Sequence, residues 1–110
     1  MNMSSLVERI LKQLNHIENI MRAIGLYSSR TPPQMAFTSN LPFCCDQMQF
    51  HQWLQWVLIP ATRYLLTENR PLPYSNHIYT MAETELAVMP QDTDELLRAI
   101  QQLDELFRQM

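Results

Sequence analysis

Residues 50–66, FHQWLQWVLIPATRYLL, set a proline in the middle of a run whose apolar residues recur at helical spacing. Taking Phe50 as origin and about 100° per residue, Trp53, Leu54, Val57, Ala61, Tyr64 and Leu65 fall within about 60° of one direction. The phase appears on both sides of Pro60, so the spacing predicts one helix rather than two unrelated ones. Proline has no N–H for the carbonyl of Trp56, and its ring crowds that carbonyl, which in a helix interior costs about 3 kcal/mol or more. The expectation is therefore a helix kinked or broken at Pro60, with the surrounding packing offsetting the cost. Trp56 lies at the edge of the predicted apolar face, and Ile59 and Leu66 lie nearly opposite it. His51, Gln52, Gln55, Thr62 and Arg63 form a narrow polar strip. A helix apolar over most of its circumference belongs near the centre of a bundle.

Three further helical patterns surround it. Leu6, Ile10, Leu14, Ile17, Met21 and Ile24 recur at three and four, which predicts a helix over 4–24. Ser4 or Ser5 would cap it, Glu8 stands at the capping-box position after Ser5, and Gly25 supplies the left-handed residue that ends helices. Asp46 reads as the cap of the proline-bearing helix, with Gln49 three residues on. A third helix over 76–88, capped by Ser75 or Asn76, would present Ile78, Met81, Ala82, Leu86 and Met89 and stop at Pro90. A fourth over 93–108, capped by Asp92, would bury Leu96, Ala99, Ile100, Leu103, Leu106 and Phe107. Asp92, Asp94, Glu95, Asp104 and Glu105 fall on its solvated side.

Residues 26–45 carry neither period, and Pro32, Pro33 and Pro42 forbid a continuous helix there. Phe37, Leu41 and Phe43 predict a loop packed on the helices rather than a free linker. No alternating strand pattern longer than three residues occurs. The fold class expected is all-α: a single 1–110 domain built as a four-helix bundle, with a long packed Pro-rich loop between its first two helices.

Composition narrows function more than it identifies it. The 110 residues are 46% apolar, enough for a core without disulfides or metal. No apolar span approaches membrane length, and the charged, amphipathic N-terminus lacks the pattern of a signal peptide, so a cytoplasmic setting is expected. Net charge is −3, with only one lysine, Lys12, and the negative charge gathers in residues 68–110. Nothing forms the basic stripe of a nucleic-acid or anionic-membrane binder, which argues against DNA, direct tRNA and membrane binding. One glycine excludes phosphate-cradling loops. His16, His51 and His77 form no i, i+4 pair, so no metal or cofactor is expected. The adjacent Cys44 and Cys45 cannot build a disulfide framework. Their place ahead of the second helix leaves a thiol sensor, or a small enzyme using His51, as an alternative.

The block LPFCCDQMQFHQWLQWVLIP carries a resemblance. Phe43, Asp46, Trp53, Leu54, Gln55, Trp56 and Pro60 stand as in the YqcC-like family, a small bacterial domain without an assigned activity. Leu72–Pro73, the HIYTM segment and the terminal LDELF resemble its later parts. Ala61 departs from the arginine that the family favours after the proline, and Tyr79–Thr80 replaces an Ala-Pro-like pair. The resemblance implies an all-helical cytoplasmic bundle. It also implies an association with tRNA pseudouridine synthase C, whose name some members carry and beside which they tend to be encoded. Such synthases resemble larger mixed α/β proteins with a catalytic aspartate in a β-containing cleft. This chain shows no strands for that cleft, and Asp46 reads as a helix cap.

The function expected is a non-enzymatic interaction module with a protein partner. Its expected surface comprises Phe43, Asp46, Trp53, Gln55, Trp56 and Pro60, with Trp56 as the anchor. An accessory role in tRNA pseudouridine modification is the alternative. A homodimer is expected if Ile59 and Leu66 stay uncovered.

Overall fold

The computed structural model describes residues 3–30, 48–72 and 78–109. Among them every regular element is helical: α1 Met3–Ala23, α2 Phe50–Trp53, a π turn Leu54–Leu58, α3 Ile59–Thr67, α4 Ile78–Leu86 and α5 Asp94–Arg108. The α2, π and α3 segments follow one another without a break, so the described residues form four helical rods.

The long helices arise as their spacing predicts. Along α1, Leu6, Ile10, Leu14, Ile17 and Met21 are buried, with Ile20 beside them. The helix begins at Met3, which puts Ser5 inside its first turn rather than at its cap. Gly25 adopts φ +79. Leu26 N donates to Met21 O at 2.8 Å and Gly25 N to Arg22 O at 3.3 Å, and Leu26 is buried with Met21. That is the Schellman ending, in which a left-handed residue lets the last carbonyls find donors. α3 ends the same way on a residue sequence reasoning passed over. Asn69 takes φ 56, Arg70 N donates to Leu65 O and Asn69 N donates to Leu66 O. Asparagine tolerates this region better than other residues with a Cβ.

α5 buries Leu96, Ala99, Ile100, Leu103, Leu106 and Phe107. It packs along α1 and α4, α2 packs on α4, and α3 packs on α1. Asp92 accepts from Asp94 N at 3.1 Å, so it serves the start of α5 as expected, although Thr93 holds the cap position. One expectation fails on this helix. Asp104 is 2% exposed, not on the solvated side. Its Oδ2 accepts from Tyr79 N at 2.7 Å, in the first turn of α4. A carboxylate there meets free helical N–H groups and the positive end of the α4 dipole, so burial is compensated by charge-assisted bonding.

The central rod departs most from the sequence pattern. Ile59 N donates to Leu54 O, five residues back rather than four. A π turn takes one more residue per turn than the pattern assumes, so everything after it is rotated by about one residue, or about 100°. Phe50, Trp53 and Leu54 are buried as predicted, but the buried positions then continue as Leu58, Ile59, Thr62 and Leu66. Ala61 and Leu65 are only half-buried, and Tyr64 is 54% exposed. Ile59 and Leu66, predicted to lie opposite the core, are inside it, which removes the basis for a homodimer through that side. Pro60 becomes the second residue of α3. The missing N–H of Pro60 therefore falls just after the π turn, where the rod changes its hydrogen-bond register.

Candidate functional site

The helix start in front of the proline differs from the expected one. Gln49 is extended at φ −73, ψ 159 and is the cap of α2. Its N–H donates to Gln52 Oε1 at 2.8 Å, so the capping box sits three residues later than the Asp46/Gln49 pair. The helix that carries the proline starts at Phe50, since the chain at Gln49 is still extended. Asp46, Phe43, Cys44 and Cys45 lie outside the described residues, as does the rest of the Pro-rich loop from Thr31 to Gln47.

Four members of the expected surface can be placed. Trp53 is buried, and its ring lies 5.8 Å from that of Phe50. Gln55 is also buried. Its side-chain Oε1 accepts from Ser28 N at 2.9 Å and its Nε2 donates to Ser28 O. One amide thus satisfies both backbone groups of a residue beyond α1, as a neighbouring strand would, and pins that segment to the π turn. A constant α period places Gln55 on the polar strip, and that period lapses in the π turn where Gln55 sits.

Trp56 and Pro60 do reach the surface. Trp56 is half-buried and Pro60 exposed. Tyr64, four residues further, is the large exposed residue that the phase slip turned outward, with Arg70 over its ring at 5.7 Å. Trp56, Pro60 and Tyr64 therefore follow at intervals of four along the rod. The indole Nε1 of Trp56 is shielded from solvent and has no hydrogen-bond partner among the described residues. π turns occur often at functional sites.

Beside this strip the rod is tied to α1. Arg63 pairs with Glu18 through both guanidinium nitrogens, one bond being 3.2 Å, and also donates to Asn15 Oδ1 at 2.6 Å. Tyr27 OH donates to Glu18 Oε2 at 3.4 Å, and Arg22 stacks over Tyr27 at 4.3 Å. Glu18 is buried, and the bidentate fork with the Tyr27 hydroxyl as a further donor is what allows a carboxylate to sit there. The slip carries Arg63 to this position, and no pattern in the sequence pairs it with Glu18.

A small cleft of about 70 Å³ lies at the other end, between the start of α2 and the end of α4. Gln49, Phe50, His51, Glu85, Leu86, Val88 and Met89 line it. Burial lowers the pKa of His51 below the ordinary imidazole value of 6.5, favouring the neutral ring. Among the described residues no helix is long and apolar enough to cross a membrane.

A family model described as "tRNA pseudouridine synthase C" matches residues 9–106. The chain belongs to this YqcC-like family. The uncharacterized protein YqcC of Escherichia coli K12 is 33% identical over 100 residues, which cover 91% of this chain and 92% of that protein. The solution NMR structure of YqcC from E. coli matches with a TM-score of 0.78 and 31% identity, over 93% of this chain and 87% of that one. A Pectobacterium carotovorum protein named tRNA pseudouridine synthase C is 34% identical over 67 residues. The match takes in 61% of this YqcC-like chain but only 18% of that longer protein. The synthase name on that relative therefore belongs to a protein most of which has no counterpart here.

Proposed function

We propose that this YqcC-like chain is a non-enzymatic interaction module, and that its partner is a tRNA pseudouridine synthase. The observation that carries the reading is the match, 34% identical over 67 residues, to 18% of a longer protein of that name. A small domain found within the same chain as a larger protein in one organism commonly works beside it as a separate chain in another. In this reading the synthase chemistry belongs to the larger part. The helical domain contributes contacts, and the tRNA need not touch it. Its own charge of −3 supports a partner other than RNA.

The contact surface in this reading is the Trp56–Pro60–Tyr64 strip, on a four-helix bundle whose second helix is bent at Pro60. Tryptophan and tyrosine are among the residue types most enriched at energetic centres of interfaces, and the strip carries a half-buried Trp56 and an exposed Tyr64. Phe43 and Asp46 would join it from the Pro-rich loop. The test is capture of the organism's tRNA pseudouridine synthase C by the purified domain, with Trp56→Ala and Tyr64→Ala alongside. The expected result is salt-tolerant capture, weakened about tenfold or more by either variant. No capture of the synthase would overturn the proposed partner, and undiminished capture by both variants would overturn the surface.

A further inference from the structure

Gln55 and Trp56 are neighbours with different surroundings. Gln55 is 5% exposed, and its amide holds both backbone groups of Ser28. Trp56 is half-buried and begins the outward strip. Both lie within the π turn Leu54–Leu58, which the Ile59 N–H closes onto Leu54 O. A constant α period would put Gln55 on the polar side and Tyr64 in the core. The bond to Ser28 and the outward set of the strip therefore come from one and the same register.

A π turn is a rare form, and its surroundings must hold it. This one also carries a cost, because the shielded Trp56 indole N–H has no partner among the described residues. Polar ties to the segment after α1 work in its favour. Ahead of Pro60, Gln55 holds Ser28. Beyond Pro60, Arg63 pairs with Glu18, which accepts from the Tyr27 hydroxyl. Arg22 stacks on the Tyr27 ring at 4.3 Å. Tyr27 and Ser28 thus brace the rod on both sides of the proline, and a change of register would break the brace and move the strip together.

We propose that Gln55 is a positioning residue for the partner surface: its clamp on Ser28 holds the π register that sets Trp56, Pro60 and Tyr64 on one strip, so that closing the clamp and occupying the strip favour one another. Gln55 itself is buried and touches no partner. The proposal rests on the strip being the contact surface and adds how that surface is kept in shape. Coupling of this kind is reciprocal, so whatever opens the clamp weakens binding at the strip by the same factor that binding tightens the clamp.

Gln55→Glu makes the clamp switchable. As a neutral acid the new side chain can accept from Ser28 N and donate to Ser28 O, as the amide does. As a carboxylate it has no proton for Ser28 O, and that bond is lost. The full chain, labelled with nitrogen-15, is followed by amide exchange across pH, each rate taken relative to wild type. Exchange at Ser28 and at Ile59 should quicken together, about fivefold, as the introduced carboxyl ionises. Faster exchange at Ser28 with Ile59 unchanged would overturn the inference, because the clamp would then fix only its own segment. Should ionisation unfold the chain, Pro60→Ala supplies a second route. It offers the α register its missing donor and relaxes the π turn, so exchange at Ser28 should rise severalfold, and an unchanged rate would equally overturn the inference. Affinity for the organism's tRNA pseudouridine synthase C, relative to wild type at the same pH, should fall about fivefold through the same ionisation. Ser28→Ala, which loses only the Oγ that accepts from Arg30 N, should leave it unchanged. Affinity indifferent to the state of the clamp would overturn the coupling. Failure of the wild type to bind the synthase would instead overturn the proposed partner, and the exchange rates would still decide the role of Gln55.

Discussion

The one-residue slip at the π turn can be tested by stability alone. Ile59 is wholly buried. Truncating it to alanine removes three carbon atoms at about 0.8 kcal/mol each and leaves a cavity that neighbouring helices fill only partly. The expected loss is about 3 kcal/mol, or about 12 °C in Tm for a domain of this size. Leu66, 8% exposed, should lose about 2–3 kcal/mol as alanine. Tyr64 is 54% exposed and makes one cation–π contact with Arg70, so Tyr64→Ala should cost less than about 1 kcal/mol. Thr62 adds a fourth arm. It is fully buried and its hydroxyl has no partner among the described residues. Thr62→Val removes that group at nearly constant volume and should be neutral or stabilising by about 1 kcal/mol. Urea titration followed by helical circular dichroism gives all four values. An uninterrupted α period puts Tyr64 at the core and Ile59 opposite it, so it predicts the reverse order. Tyr64→Ala costing as much as Ile59→Ala would refute the slip.

Three other substitutions follow from the same rod. Pro60→Ala should change stability by less than about 1 kcal/mol, because the π turn just before it already accommodates the proline, and a gain near the ~3 kcal/mol typical of an interior proline in the same urea titration would contradict that account. Gln55→Leu should cost about 2 kcal/mol by stranding Ser28 N–H and C=O, with faster hydrogen exchange at Ser28; unchanged exchange there would show that the amide clamp is not holding. His51 has a pKa below 6.5 in the folded chain, so the unfolded chain binds more protons at pH values between the two. Its contribution is thus fully present above about 6.5 and declines as pH falls toward the folded value. His51→Gln should flatten that part of the stability–pH curve, and an unaltered slope would assign the decline to other groups.

Much of the fold could be read from spacing because most of its helices keep one period from end to end. The α1 stripe, the Gly25 stop and the α5 stripe need only the 3.6-residue repeat and a residue tolerant of positive φ. What could not be read depends on partners distant in the chain. Asp104 looks solvated until Tyr79 N is placed beside it, 25 residues away in sequence. Glu18 and Arg63 are ordinary charged residues on two helices until packing brings them within a salt bridge. Periodicity places a residue on a face, but it cannot tell that a polar residue on a buried face has found a partner there.

The proline is the instructive case, because the sequence signalled a difficulty but not the change of phase that accompanies it. A proline inside an unchanged α period would leave the Trp56 carbonyl crowded and without its donor. Bending moves that carbonyl aside and keeps the period. A π turn instead inserts a residue just before the proline and changes the hydrogen-bond register where the N–H is missing. Both satisfy the local chemistry, and the choice is made by what each sends inward. The slipped phase buries Ile59 and Leu66 and brings Arg63 to Glu18, at the cost of one buried threonine. The straight phase would bury Tyr64 and leave two large aliphatic side chains in water. At about 1.5–3 kcal/mol for each aliphatic side chain buried, the slip wins. The outward turn of Tyr64 on the same strip as Pro60 and Trp56 is therefore a consequence of core packing, and the surface proposed for a partner follows from the slip rather than preceding it.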